Sequence, residues 1–113
     1  MKYPELYRLH AEICRTLAHP GRLEILNLLR GGGANASALA KRVGMGKTNL
    51  SQHMKLLVQK GVVVAEKKGA SVFYRIADAR IVRACDLMRA VLIQVLEKSG
   101  RTLKDLQRAA KSV

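Results

Sequence analysis

The sequence predicts a mainly α-helical protein with one small β-hairpin. Three observations support this prediction. Apolar residues recur at helical spacing through most of the 113-residue chain, and glycine or proline separates one helical stretch from the next. A single stretch, residues 62–76, departs from helical spacing and is instead rich in β-branched and aromatic residues. The chain is 49% hydrophobic and has no low-complexity segment, so we expect one domain over residues 1–113.

Two helices are predicted before residue 31. Pro4 suits the first turn of a helix, where its missing N–H is not needed, and apolar residues then recur at helical spacing. The first helix is therefore expected over about 4–17. His19, Pro20 and Gly21 interrupt this pattern, and a short second helix follows until the glycines at 31–33.

The next two helices are separated by a tight turn. Asn35 or Ser37 can cap a helix over about 36–43, and Gly44-Met45-Gly46 then leads into a helix over about 47–59. The apolar side chains of this fourth helix are expected to face inward: Leu50, Met54, Leu57 and Val58. Its opposite face is polar and basic: Thr48, Gln52, Lys55 and Gln59. This pair of helices is therefore expected to present one polar face to solvent.

A hairpin and a long helix complete the pattern. Two strands are expected within 62–76, with a turn at Lys68-Gly69, and Asp78 can cap a helix over about 78–99. That helix carries two apolar stripes, which one small domain cannot easily cover, so we expect a partner subunit to cover the second. Residues 101–113 are predicted to form either a short amphipathic helix or a frayed end.

The net charge of +13 points to a polyanionic partner. Between residues 41 and 75 there are eight lysines and arginines against one acid, Glu66, which concentrates the charge in the middle of the chain. Solubility alone is the simpler explanation. No apolar run is long enough for a membrane span, and Glu5, His10 and Glu12 stand where a signal peptide would be apolar. A cytoplasmic protein without membrane partners is therefore expected.

The order helix, turn, helix, hairpin is that of a winged helix-turn-helix. Three ordered segments make the resemblance specific: LAHPGRLEILNLL, ALAKRVGMGKTNLSQHMKLLVQKGVV and KKGASVFYRIAD. Over nearly the whole chain the sequence resembles the ArsR/SmtB family of dimeric repressors. The resemblance implies a homodimer joined by its first and last long helices. It also implies operator binding through the 47–59 helix and the 67–71 wing, with release of DNA when an effector binds.

Candidate DNA contacts follow from side-chain chemistry, because amides pair with adenine edges, whereas hydroxyls and lysines reach phosphates or guanine. Seven candidates lie on the fourth helix: Lys47, Thr48, Asn49, Ser51, Gln52, His53 and Lys55. Ser51 and His53 match the family's Ser-x-His pattern. Four lie in the wing, where they could bind phosphate: Lys67, Lys68, Ser71 and Arg75. The alternative interpretation is a solvated helix face and a solvated turn.

The effector sites of the family are not matched. Metal sensors carry Cys-x-Cys near the third helix, where this chain has Ala-Asn-Ala-Ser-Ala at 34–38, and the last long helix contains no histidine. We therefore predict no metal site and no cofactor. Cys14 and Cys85 lie on the two helices that share the family's dimer interface, so they could be neighbours and sense oxidants, reactive sulfur or a soft metalloid. The alternative is that each packs as a small hydrophobe.

No catalytic constellation is present in the sequence, so we expect no enzyme. The sequence instead predicts a homodimeric repressor that binds an inverted-repeat operator with half-sites about one helical turn apart. It leaves two alternatives open. A non-specific architectural DNA-binding protein would also explain the charge, but the amides on the fourth helix argue against it. A protein-interaction module would leave the charge between residues 47 and 75 unexplained.

Overall fold

The computed structural model describes residues 1–111 and divides the chain into two compact units, Met1–Ala79 and the residues from Arg80 onward. The elements in chain order are α1 (Pro4–Leu17), α2 (Pro20–Leu29), β1 (Ala34–Asn35), α3 (Ala36–Val43), α4 (Lys47–Gln59), β2 (Val63–Lys68), β3 (Ser71–Ile76), α5 (Ala79–Lys98) and α6 (Leu103–Lys111). The mainly helical fold with a hairpin is confirmed. That residues 1–113 form one domain stays a prediction, and residues 112 and 113 lie outside the described part of the chain.

The residues that were predicted to begin or end helices are found at the helix ends in the structure. Pro4 and Pro20 stand in the first turns of α1 and α2. Asn35 caps α3, because its side-chain oxygen accepts a hydrogen bond from the N–H of Ala38 at 2.8 Å. Gly44 ends α3 in the left-handed conformation, at φ +77°, which glycine adopts without steric cost. Local chemistry therefore defines these helix ends.

The sheet has three strands, one more than predicted. β1 pairs antiparallel with β3, with Ala34 opposite Tyr74 and Asn35 opposite Phe73, and the strand order is β1-β3-β2. A strand of two residues is too short to show a period of two in the sequence. The third strand joins the segment before α3 to the hairpin, so the wing is tied directly to the helix-turn-helix.

The hairpin turn lies one residue later than predicted. Lys68 still pairs with Ser71, which leaves Gly69 and Ala70 as a two-residue turn. Gly69 has φ +64°, and a positive φ suits the tight turns that match the twist of paired strands. Lys68 was predicted to lie in the turn, and it is instead the last paired residue of β2.

The core of the first unit lies between α2, α3, α4 and the sheet. Its fully buried side chains come from all of these elements: Ile25, Leu26, Leu29, Leu39, Leu50, Met54, Leu57, Val62 and Val63. The prediction that Val58 faces inward is wrong, because 38% of this residue is exposed. On a helix, Val58 lies one position beyond the buried stripe of Leu50, Met54 and Leu57, and so at its rim.

The second unit consists of α5 and α6. α5 begins directly after Asp78, and its apolar residues remain largely open to solvent, with Leu87 and Met88 each 70% exposed. Residues 103–111 form a helix, not a frayed end. Its start is stabilised by a reciprocal pair in which the Thr102 N–H donates to the Asp105 carboxylate and the Asp105 N–H donates to the Thr102 hydroxyl.

Candidate nucleic-acid interface

α3 and α4 are joined by a short, well-bonded turn. The N–H groups of Gly44 and Met45 both donate to the carbonyl oxygen of Ala40, at 2.9 and 3.0 Å. These bonds satisfy a carbonyl at the end of α3 and fix the direction in which the chain enters α4. The buried stripe of α4 then anchors the helix on the core, so its opposite face is turned toward solvent.

Six of the seven residues predicted on α4 are exposed. They are Lys47, Thr48, Asn49, Ser51, Gln52 and Lys55. Together they provide two amides, two hydroxyls and two ammonium groups on one solvent-facing helix. A helix with these groups can enter the major groove of DNA, where amides and hydroxyls meet base edges and lysines meet phosphates. That each residue contacts DNA stays a prediction.

His53 differs from these six residues because its ring is partly buried and has partners inside the protein. Its Nδ1 lies 3.2 Å from the Arg22 Nη1, and its ring centroid lies 4.7 Å from that of His19, at an angle of 50°. Burial lowers the pKa of His53, and the nearby His19 and Arg22 lower it further. DNA contact by His53 stays a prediction, but the structure places this ring beside α2.

The wing presents its basic residues in two different settings. Lys67, Lys68 and Ser71 are exposed, and the Lys68 ammonium lies 4.3 Å from the centroid of the Phe73 ring. That contact holds the lysine at the hairpin tip while leaving its charge accessible. Arg75, in contrast, donates a hydrogen bond from Nε to the Glu66 carboxylate at 3.1 Å. Part of its charge is therefore balanced by the neighbouring strand.

Three charged residues near this interface make contacts that the sequence did not predict: Arg22, Lys60 and Glu12. Arg22 bridges α2 to α1 and α4, as described below, and the Lys60 ammonium at the end of α4 donates to the Glu12 carboxylate of α1 at 3.1 Å. This hydrogen bond from Lys60 holds the pKa of Glu12 below its ordinary value. Arg22 and His53 are far apart in sequence, and so are Lys60 and Glu12, so no local sequence pattern could reveal either contact.

The residues considered for sensing lie in separate units of the chain. Cys14 is exposed on α1, and Cys85 is half-buried on α5. Within the described residues there is no group of three histidine, cysteine, aspartate or glutamate side chains that could hold a metal ion. The same part of the chain contains no helix that is long and apolar enough to cross a membrane.

Comparisons with known proteins decide the family. A family described as "Helix-turn-helix domain" matches residues 17–65. The uncharacterized HTH-type transcriptional regulator Rv0081 of Mycobacterium tuberculosis is 38% identical over 108 residues, which is 95% of each chain. Its crystal structure superposes with a TM-score of 0.76 and covers 83% of this chain and 95% of that one.

The description of a second solved structure states its fold. It is the homodimeric winged helix-turn-helix DNA-binding domain Mb0332 of Mycobacterium bovis, described as a possible ArsR-family transcriptional regulator. It is 32% identical, has a TM-score of 0.73, and covers 80% of this chain and 83% of that one. The chain belongs to the ArsR/SmtB family.

This ArsR/SmtB regulator also resembles a protein that is named as a repressor. The biofilm growth-associated repressor of Xylella fastidiosa is 31% identical over 70 residues, or 62% of this chain and 61% of that one. The resemblance predicted from the sequence is thus confirmed. These relatives support DNA-binding transcriptional regulation and not the non-specific architectural alternative.

Proposed function

We propose that this ArsR/SmtB regulator is a homodimeric repressor that occupies an inverted-repeat operator and blocks transcription by its presence there. The observation that carries the proposal is the exposed polar face of α4 behind which Leu50, Met54 and Leu57 are buried. A rigid helix that presents amides in fixed positions can distinguish base pairs in the major groove. The lysines of the wing add phosphate contacts that position the dimer without reading sequence.

Exposed apolar faces support the homodimer. On α1, Leu6, Leu9 and Ile13 recur at helical spacing, and all are exposed. On α5 the exposed apolar residues are more numerous: Leu87, Met88, Val91, Leu92 and Val95. Contiguous apolar patches of this kind mark interfaces in soluble proteins. We infer that both faces are covered by a second copy of the chain.

Selection of bound sequences from a random DNA pool at about physiological salt tests the function directly. We expect enrichment of a palindrome, since two identical helices in a symmetric dimer read two identical half-sites. Competition by unrelated DNA should then require an excess of about 10³-fold or more. A pool that shows no enrichment would contradict sequence-specific control and favour a general DNA-binding role.

Lys68→Ala is expected to weaken binding to every DNA sequence by a similar factor. Because Lys68 would neutralise one phosphate in each subunit, the slope of log affinity against log salt should fall by about 2 for the dimer. Titrations of operator and unrelated DNA at several salt concentrations measure this slope. Lys104→Ala removes the same charge from α6 and serves as the matched control. A loss confined to one sequence would assign Lys68 to base reading instead.

Thiol oxidation is the effector mechanism that we propose, with Cys14 and Cys85 as the sensing residues. Oxidation of each thiol, to a sulfenic acid or to a disulfide with another thiol, transfers two electrons to the oxidant and changes the surface of the helix that carries it. We expect a thiol-specific oxidant to lower operator affinity at least tenfold in a reversible way, and Cys14→Ser or Cys85→Ser to abolish this response, as followed by DNA titration. An unchanged response in both variants would contradict sensing by these two thiols.

Catalysis has no part in this proposal, in keeping with a family of transcriptional regulators. The place of action follows from the partner. A repressor has to reach chromosomal DNA, so we propose that it acts in the cytoplasm.

A further inference from the structure

One guanidinium group connects three helices of the first unit. Arg22 stands in α2, and its Nε donates to the backbone carbonyl oxygen of Thr16 near the end of α1, at 2.5 Å. Its Nη1 lies 3.2 Å from Nδ1 of His53 in α4. The planar guanidinium fixes the directions of both bonds, so a single side chain relates the end of α1 to the middle of α4.

The histidines beside Arg22 have defined roles as acceptors. A guanidinium only donates, so His53 accepts through Nδ1 and carries its proton on Nε2. His19 likewise accepts through Nδ1, from the N–H of Gly21 at 3.0 Å, and in this way caps α2. Both Nδ1 atoms are therefore engaged inside the protein. Nδ1 of His53 is therefore not free to accept a hydrogen bond from any other group, and the N–H at Nε2 is the one polar group of the ring that this contact leaves unused.

The contact between Arg22 and His53 affects the orientation of α4, because His53 lies beside the solvent-facing residues of that helix. Its neighbour Gln52 faces solvent, whereas His53 points toward α2. Rotating α4 about its axis moves both side chains together, because a helix turns as a rigid body. A contact that fixes the ring of His53 therefore also fixes the direction in which the Gln52 side chain leaves the helix. The hydrogen bond between Lys60 and Glu12 holds the end of the same helix to α1.

We propose that Arg22 and His53 are positioning residues that orient α4 for base reading, with His53 acting through Arg22 and not by touching DNA. This inference rests on the proposed function, since it concerns how the operator is distinguished. The Arg22 and His53 pair links the orientation of α4 to the end of α1. Loss of the pair leaves the outward groups of α4 in place but lets the helix adopt other orientations, so sequence discrimination suffers more than general affinity.

A double-mutant cycle tests the proposal on the full-length protein. The variants are Arg22→Gln, His53→Leu and their combination, with Arg15→Gln as a matched control that removes an exposed arginine of α1. For each variant, the ratio of operator affinity to unrelated-DNA affinity and the salt slope are measured. We expect each single change to lower the ratio by about tenfold. The double change should lower it no further, because each single change already removes the contact between Arg22 and His53. The salt slope and the affinity for unrelated DNA should stay at the parent values.

A conservative substitution separates positioning from a general loss of structure. His53→Gln retains an acceptor for Arg22 and should keep most of the operator preference, whereas His53→Leu loses it. This comparison remains informative if Arg22→Gln does not fold. Effects of Arg22→Gln and His53→Leu that multiply, or a loss of affinity for unrelated DNA in His53→Leu, would overturn the proposal in favour of direct DNA contact. Absence of any operator preference in the parent protein would instead contradict the proposed function.

Discussion

Gln52→Ala is expected to remove most of the operator's advantage over variants changed at a single base pair. The amide of Gln52 is exposed on α4, near the middle of the face that we propose enters the major groove. A glutamine that pairs in a bidentate manner with adenine contributes about 1–3 kcal/mol of discrimination, equivalent to roughly 5- to 150-fold. The proposed dimer would read two half-sites, so the effect is expected twice in one operator.

Titration of Gln52→Ala against the selected operator and a set of single-base variants measures this loss. We expect the affinity for the operator to approach that for its variants at one position of each half-site, with little change for unrelated DNA. Gln59→Ala is the matched control. It removes the same amide from the same face, two helical turns further along α4 and away from the N-terminal part that we propose contacts bases. Equal loss on all sequences would show that Gln52 does not read a base.

Gly33→Ala is expected to destabilise the first unit by about 1–3 kcal/mol, as overpacking of a close contact does. A Cβ atom at this position would lie 2.3 Å from the Phe73 ring and 2.7 Å from the backbone oxygen of Tyr74. The ring can turn aside, but the backbone oxygen belongs to β3 and cannot move without shifting the strand. The added methyl group therefore forces β1 and β3 apart.

Urea unfolding of Gly33→Ala measures this change in the free energy of unfolding. Gly31→Ala is the control, because a Cβ atom at Gly31 meets nothing within 4 Å, and we expect a change within about 0.5 kcal/mol. Since β1 ties the wing to the helix-turn-helix, Gly33→Ala should also weaken DNA binding generally. A variant as stable as the parent would mean that the sheet accommodates the methyl group and that β1 is not held closely.

The sequence by itself determined the order of the elements and where most of the helices begin and end. Pro4 at the start of α1, Asn35 before α3 and Gly44 after it each act through atoms a few residues away. Such signals operate within one turn of the chain, so they can be recognised without knowledge of the fold. The outward direction of Gln52 and Lys55 followed in the same way from helical spacing around the buried stripe of α4.

Only the tertiary structure decided which side chains have partners from distant parts of the chain. His53 meets Arg22 across 31 residues, and β1 pairs with β3 although its two residues show no strand pattern. Arg75 stays a predicted phosphate contact of the wing, and the structure adds that its Nε donates to Glu66 on the facing strand. The contact of His53 with Arg22 and the pairing of β1 with β3 depend on packing in three dimensions, because the residues involved are separated by whole elements. Periodicity describes the face of one element, whereas the partner on that face is set by the element that packs against it.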